Sequence, residues 1–232
     1  MRATTASLPL VALLALALAA CGPTATKPPA SPDPSGSATP APSETEPADP
    51  LETVTRIMIQ SEIVYFGDEV AWALDGFSYL DDADAVVAKL TTVFGAEPTV
   101  TEQAGGLETA TALHYDWGGF VLGAPMTSGP RNIYTSLFVR ATSAAVQGIT
   151  IETIEGVTIG SPAADAAAHA VTTMTWGAQV EAQLDPTPVT AEELGEDPAS
   201  WGGDLHLHVS AWSPAGGGTV TELVAPARNF GS

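Results

Sequence analysis

Cations and thiols are the scarcest groups in this chain. Of its 232 residues only 7 are Lys or Arg against 27 Asp or Glu, a formal net charge of −20, and there is one cysteine. A surface this acidic repels nucleic acid and anionic lipid, and it offers no basic patch from which counterions could be released. A single cysteine excludes an intrachain disulfide framework, so the fold must rest on a hydrophobic core. The apolar run from Leu8 to Ala20 has 13 residues, whereas a helix that crosses hydrocarbon needs roughly 20.

Reaction signatures are missing too. The chain has no Gly-x-Ser-x-Gly elbow and no Ser-x-x-Lys, which leaves serine-based acyl transfer unsupported. It has neither Gly-x-Gly-x-x-Gly nor a phosphate-binding Gly-Lys loop. Asp81-Asp82-Ala83-Asp84 lacks the spaced oxygen ligands, central glycine and closing glutamate of a calcium loop. Paired carboxylates for glycoside hydrolysis stay open, because their spacing is three-dimensional. The expectation is a protein that is not an enzyme and carries no cofactor.

What is present begins with the amino-terminal segment. A short start carrying Arg2, the apolar run, and then Leu18-Ala19-Ala20-Cys21 match the order of a cleaved export signal. The last four residues resemble the lipobox of bacterial lipoproteins. That resemblance implies removal of residues 1–20, diacylglyceryl modification of the Cys21 thiol, and anchoring of the mature chain in a lipid bilayer on the extracytoplasmic face of a cell membrane. Each buried methylene contributes about 0.8 kcal/mol, so two or more acyl chains hold a protein where one would be marginal. The modification also leaves no thiol for catalysis.

Residues 22–50 contain nine prolines among 29 positions and no Val, Leu, Ile, Met or aromatic residue. Such a segment buries too little apolar surface to offset the entropy of ordering, so residues 21–50 read as a lipidated cysteine with a disordered tether behind it. Fully extended, this tether reaches on the order of 90 Å. From Leu51 onward there are 5 basic and 23 acidic residues, in a segment long enough for one sizeable domain.

Within 51–232 two stretches look alike. Asp75-Gly76-Phe77-Ser78 leads into Ala83–Leu90, and Glu155-Gly156-Val157-Thr158 leads into Ala163–Ala170. In the first, Asp81 or Asp82 caps a helix whose apolar face carries Val86, Val87, Leu90 and Val93 or Phe94. In the second, Ser161 caps and Pro162 takes the first helical position. The helices are expected to close at Phe94-Gly95 and Trp176-Gly177. Strands are expected at 55–60, 63–66, 70–74, 112–122, 133–140, 148–155, 205–212 and 219–225, and loops at 102–107, 123–130, 184–203 and 213–218; residues 51–60 also admit a helical spacing, so the first element is open between the two. The fold class is α+β: antiparallel sheet with one helix per unit, two similar units in tandem, at about 51–140 and 141–232. In architecture this resembles the tandem units of β-lactamase-inhibitor-like small lipoproteins, and no partner-binding motif comes across with the resemblance.

Candidate site residues are few. His206-x-His208 in a strand puts both imidazoles on one face, and with His114 as a third ligand from a neighbouring strand the set suits zinc, copper or nickel. A solvent-facing pair on a half-exposed sheet is the plainer reading. Trp117 with Tyr115, and Trp201 in a loop, are candidates for stacking on a sugar or gripping a peptide; core packing competes for the first two. The functional expectation is a tethered cell-envelope binding or interaction module for a protein or glycan. A metal-dependent protein using His114, His206 and His208 is the alternative.

Overall fold

The computed structural model describes residues 49–106, 110–194 and 204–230. Cys21, the export signal, Trp201 and all but the end of the tether lie outside the described residues. The described residues are α+β, mostly strand, with two α-helices and two sheets. No helix among the described residues is long and apolar enough to cross a membrane.

The first hairpin is dictated by its residues. β1 (Arg56–Ile59) and β2 (Ile63–Gly67) are β-branched and aromatic and pair antiparallel. The strand expected at 70–74 does not form. The Asp68 carboxylate accepts from the N–H groups of Val70 and Ala71 at 2.7 and 2.6 Å, which closes a local turn in place of a ladder. The chain re-enters the sheet as β3 (Asp75–Ser78), antiparallel to β2. Helix α1 (Ala83–Phe94) is capped by Asp82, buries Val86, Leu90, Val93 and Phe94, and ends at Gly95 in the left-handed region.

Then come β4 (Thr99–Gln103), β5 (Ala112–Asp116), β6 (Phe120–Pro125) and β7 (Phe138–Ala141). The expected single strand 112–122 is a hairpin. Gly118 and Gly119 take φ of 88° and 116°, which favours glycine, and the Asp116 carboxylate accepts from both of their N–H groups. After β8 (Ala145–Val146) and β9 (Ile149–Thr153), helix α2 covers only Ala163–His169. Ser161 does not cap it; its hydroxyl accepts from the Thr158 N–H instead. The expected helical continuation to Trp176 is strand β10 (Thr172–Trp176), because Thr-Thr-Met-Thr-Trp prefers a pleated chain. β11 (Gln179–Pro188), β12 (His206–Pro214) and β13 (Glu222–Arg228) complete the chain.

Eight strands form one antiparallel sheet in the order β10-β11-β12-β13-β7-β6-β5-β4, and five form a smaller one in the order β3-β2-β1-β9-β8. Two four-strand meanders, β4–β7 and β10–β13, meet along β7 and β13. In the smaller sheet β9 runs parallel to β1, across a connection that carries α1 and strands of both sheets. Both sheets and both helices contribute to one core, from Ile57, Ile59, Phe66 and Ile151 to Leu90, Phe120, Val209 and Leu223. Residues Glu46–Ser232 form one compact unit.

On the other face of the large sheet, Gly123 of β6 lies opposite Phe138 of β7. A Cβ on Gly123 would fall inside the Phe138 ring. We expect Gly123→Ala to destabilise the protein by roughly 1–3 kcal/mol through overpacking, and to cost far less in a Phe138→Ala background. Denaturation midpoints of the four proteins in the cycle check this; additive effects would contradict it.

Candidate functional site

Two places concentrate polar chemistry. The first is a cluster on β10, β11 and β12, on the face of the large sheet turned away from the shared core. β11 alternates Gln179-Val180-Glu181-Ala182-Gln183-Leu184, so Ala182 and Leu184 enter the core while Glu181 and Gln183 point the other way. β12 places His206, His208 and Ser210 on that same face. His208 Nε2 lies 3.0 Å from Glu181 Oε1 and 3.2 Å from the Ser210 hydroxyl. Ser210 donates a short hydrogen bond to the same Glu181 Oε1. Trp176 Nε1–H donates to Glu181 Oε2 at 3.2 Å, and His206 Nε2 lies 3.2 Å from Gln183 Oε1.

The ingredients are those of a serine–histidine–acid relay, but the geometry is not. A relay needs the serine on one ring nitrogen and the acid on the other. Here both converge on Nε2, and Nδ1 of His208, on a residue 1% exposed, is buried with no hydrogen-bond partner. Burial pushes the Glu181 carboxyl up, and the hydrogen bonds from His208, Ser210 and Trp176 outweigh it, holding the group at about 2 against an ordinary 4.5. The carboxylate is thus a fixed negative charge satisfied by three donors.

The sequence pointed to His206 and His208 and missed Glu181, Gln183 and Ser210. The period-2 alternation of 179–184 was the available signal; the Asp185-Pro186 pair after it reads as a loop but forms a bulge inside β11. His206 and His208 do share a face, with ring centroids 5.4 Å apart. His114 does not join them. It lies on β5, with β6, β7 and β13 between it and β12, and its ring packs edge-on to Phe138 at 5.5 Å. Among the described residues no group of three or more His, Cys, Asp or Glu side chains stands close enough to hold a metal. The three-histidine centre is therefore not assembled, because the sheet order separates its members.

Trp117 is a core residue. It is 5% exposed, packs 5.5 Å from Phe94, and its Nε1–H donates to the Ala96 carbonyl at 2.9 Å. Tyr115 is half-buried against the same core, opposite Leu122. Trp117 therefore offers no face for stacking on a sugar.

The second place is a cavity of about 410 Å³ at the end of both sheets, within the range of small-molecule sites. Its apolar wall is built by Tyr79, Ile133, Pro188, Val189, Leu207 and Pro226. Val189, Leu207 and Ile133 belong to a second, smaller core with Leu194 and Phe230, so the cavity separates two hydrophobic clusters. Its polar wall includes Glu62, Ser78, Arg131, Asn132 and Ser136. The segment that carries Arg131 is ordered by Asn132, whose side-chain oxygen accepts from the N–H groups of Tyr134 and Thr135.

Beside the cavity the two sheets are tied together. Asp185 stands at a positive φ of 46° in the β11 bulge. Its carboxylate accepts from the Ser61 N–H and hydroxyl at 2.8 and 3.1 Å, and its own N–H donates to Glu155. The Tyr79 hydroxyl donates to the Gln60 carbonyl at 2.9 Å. The Asp185 bonds hold the β1–β2 turn, one wall of the cavity, against the large sheet, and the Tyr79 bond ties the same turn to the end of β3.

Comparison with protein-family models, with curated proteins and with solved structures finds no match. No residue role comes to this chain from a relative, and geometry alone must carry the functional reading.

The Glu181 pKa sets an acid window. Because the folded value lies below the unfolded one, the contribution is complete above pH about 4.5 and is lost as pH falls toward 2. We expect wild-type stability to drop through that window by an amount on the order of 3 kcal/mol from this group. Glu181→Gln should be less stable at pH 7 and show a shallower acid limb in urea titrations. An unchanged limb would remove Glu181 from the account.

Proposed function

We propose that this chain is a lipid-anchored cell-envelope protein whose folded domain binds a small amphipathic ligand in the cavity between its two hydrophobic clusters and does not catalyse. The observation that carries the reading is Arg131. The folded region has five cations. Arg56 is paired with Glu152, Lys89 with Asp75 and Arg140 with Glu222, at 3.7, 2.9 and 3.8 Å. Arg228 lies over the Tyr134 ring. Arg131, on the cavity wall, has no ion-pair partner among the described residues and spends one donor on the Thr135 carbonyl.

In a chain with 27 acids, an arginine left without a carboxylate beside an apolar wall suits the anionic head of a ligand whose body covers Ile133, Val189 and Leu207. Glu62 and Glu193 also line the cavity as opposing charges, and the Glu193 carboxylate is turned to the N–H and hydroxyl of Thr190. The geometry around His208 speaks for binding over catalysis, since the Ser210 hydroxyl is bound to the carboxylate and is not poised for attack. The anchor reading rests on Leu18-Ala19-Ala20-Cys21 and on the proline-rich segment after it.

Two measurements test this. Amphipathic carboxylates and phosphate monoesters should raise the melting temperature of residues 46–232, and Arg131→Gln or the cavity-filling Ser136→Phe should abolish the shift with little change in the unliganded melting temperature. No shift with any compound of either class would remove the cavity as the site. In a bacterial host, the full chain should incorporate a labelled fatty acid and fractionate with membranes, and Cys21→Ser should lose both; a soluble, unlabelled wild-type chain would remove the anchor.

A further inference from the structure

Among the described residues the large sheet ends in β4 on one side and β10 on the other, and the two edges are finished differently. Exposed edges invite pairing, and proteins blunt them with charge, proline or bulges. β4 carries Glu102 and comes directly after Pro98. β10, Thr172-Thr173-Met174-Thr175-Trp176, has neither charge nor proline, and all five of its residues are exposed. No acid lies between Asp165 and Glu181. Trp176 and Met174 remain 52% and 41% exposed, yet both are held in place: Trp176 donates to Glu181, and the Met174 sulfur accepts from Gln183. The carboxylate directly across from Met174 on β11, Glu181, already has its charge answered by three donors.

The occupant of this edge is not the tether, whose nine prolines remove the N–H groups a ladder needs. We propose that β10 pairs antiparallel with β10 of a second copy about a two-fold axis through Met174, joining the two large sheets. In that register Met174 faces Met174 of the second copy, Thr173 faces Thr175 and Thr172 faces Trp176. Every cross-strand pair is uncharged, so the contact sets no like charges opposite one another in a chain of net charge −20. An isologous contact of this kind closes on itself and builds no fibre. Five residues of ladder supply less than the roughly 1,200 Å² that stable interfaces bury, which makes the dimer weak and dependent on concentration.

The test uses residues 46–232, which hold the described residues of both cores and contain no cysteine. Directly opposed residues in an antiparallel pair have Cα atoms about 4.5–5.5 Å apart, inside the range a disulfide bridges. Under mild oxidation Met174→Cys should therefore give a linked dimer at least tenfold faster than Val100→Cys, a similarly exposed position on the β4 edge. Sedimentation equilibrium of the wild type should show monomer–dimer exchange, and Thr175→Lys, with unchanged circular dichroism and melting temperature, should remain monomeric. Equal linking of the two cysteine variants, or a wild type monomeric at every concentration, overturns the proposal. So does a monomer whose β10 takes up only an added strand peptide, because the partner is then a different chain.

Discussion

The pairing of β13 with β7 is the constraint on which the rest of the molecule depends. Only three residue pairs make it, Leu223 with Ala141, Val224 with Arg140 and Ala225 with Val139. Ala141, Val139, Leu223 and Ala225 are all fully buried, so the seam between the two meanders is itself part of the shared core. On the opposite face Arg140 reaches Glu222 at 3.8 Å. The parallel pairing of β9 with β1 crosses the two halves a second time. Neither half can therefore leave without opening both sheets and the core between them.

That arrangement decides where polar chemistry can sit. One face of the large sheet is committed to the core, so the polar residues of β11 and β12 gather on the other and satisfy one another there. Glu181 anchors this cluster as a charge that stays ionised because three donors compensate its burial. The cavity arises for a different reason. Bulges in β11 and at the β12–β13 pairing turn the ends of those strands away from regular register, and the Asp185 side chain fastens the β1–β2 turn across the gap. The two clusters of apolar residues fail to merge there, and Arg131 stands at their boundary.

Much of this was legible in the sequence where a local signal dominates. Asp82, the apolar spacing 86-90-93-94 and Gly95 specify α1 from capping to closure. The β-branched runs of β2 and β9 declare themselves in the same way, whereas 51–60 also admits a helical spacing and its pairing with β2 makes β1 a strand. The second helix is shorter than its sequence suggests, because Thr172–Trp176 comes after an alanine run and ends in an aromatic and a glycine, as the first helix does. Its threonines and its pairing with β11 make it a strand. The alternative of a three-histidine metal centre fails on a non-local quantity, the order of strands in the sheet, which puts three strands between His114 and His208. Trp117 turns inward because the Gly118-Gly119 hairpin folds it onto Phe94.

Composition and local pattern by themselves determined the acidity, the absence of a disulfide framework, the proline-rich composition of 22–50 and the α+β character of residues 51–232. These depend on residue counts and on neighbours a few positions apart. Tertiary structure alone decided that two meanders share one sheet, that Glu181 meets His208 and Ser210 across two strands, and that among the described residues Arg131 is left without an ion-pair partner and β10 ends the sheet unpaired on its outer side. Each of these is a relation between residues distant in sequence, and its energy depends on what else is buried beside it.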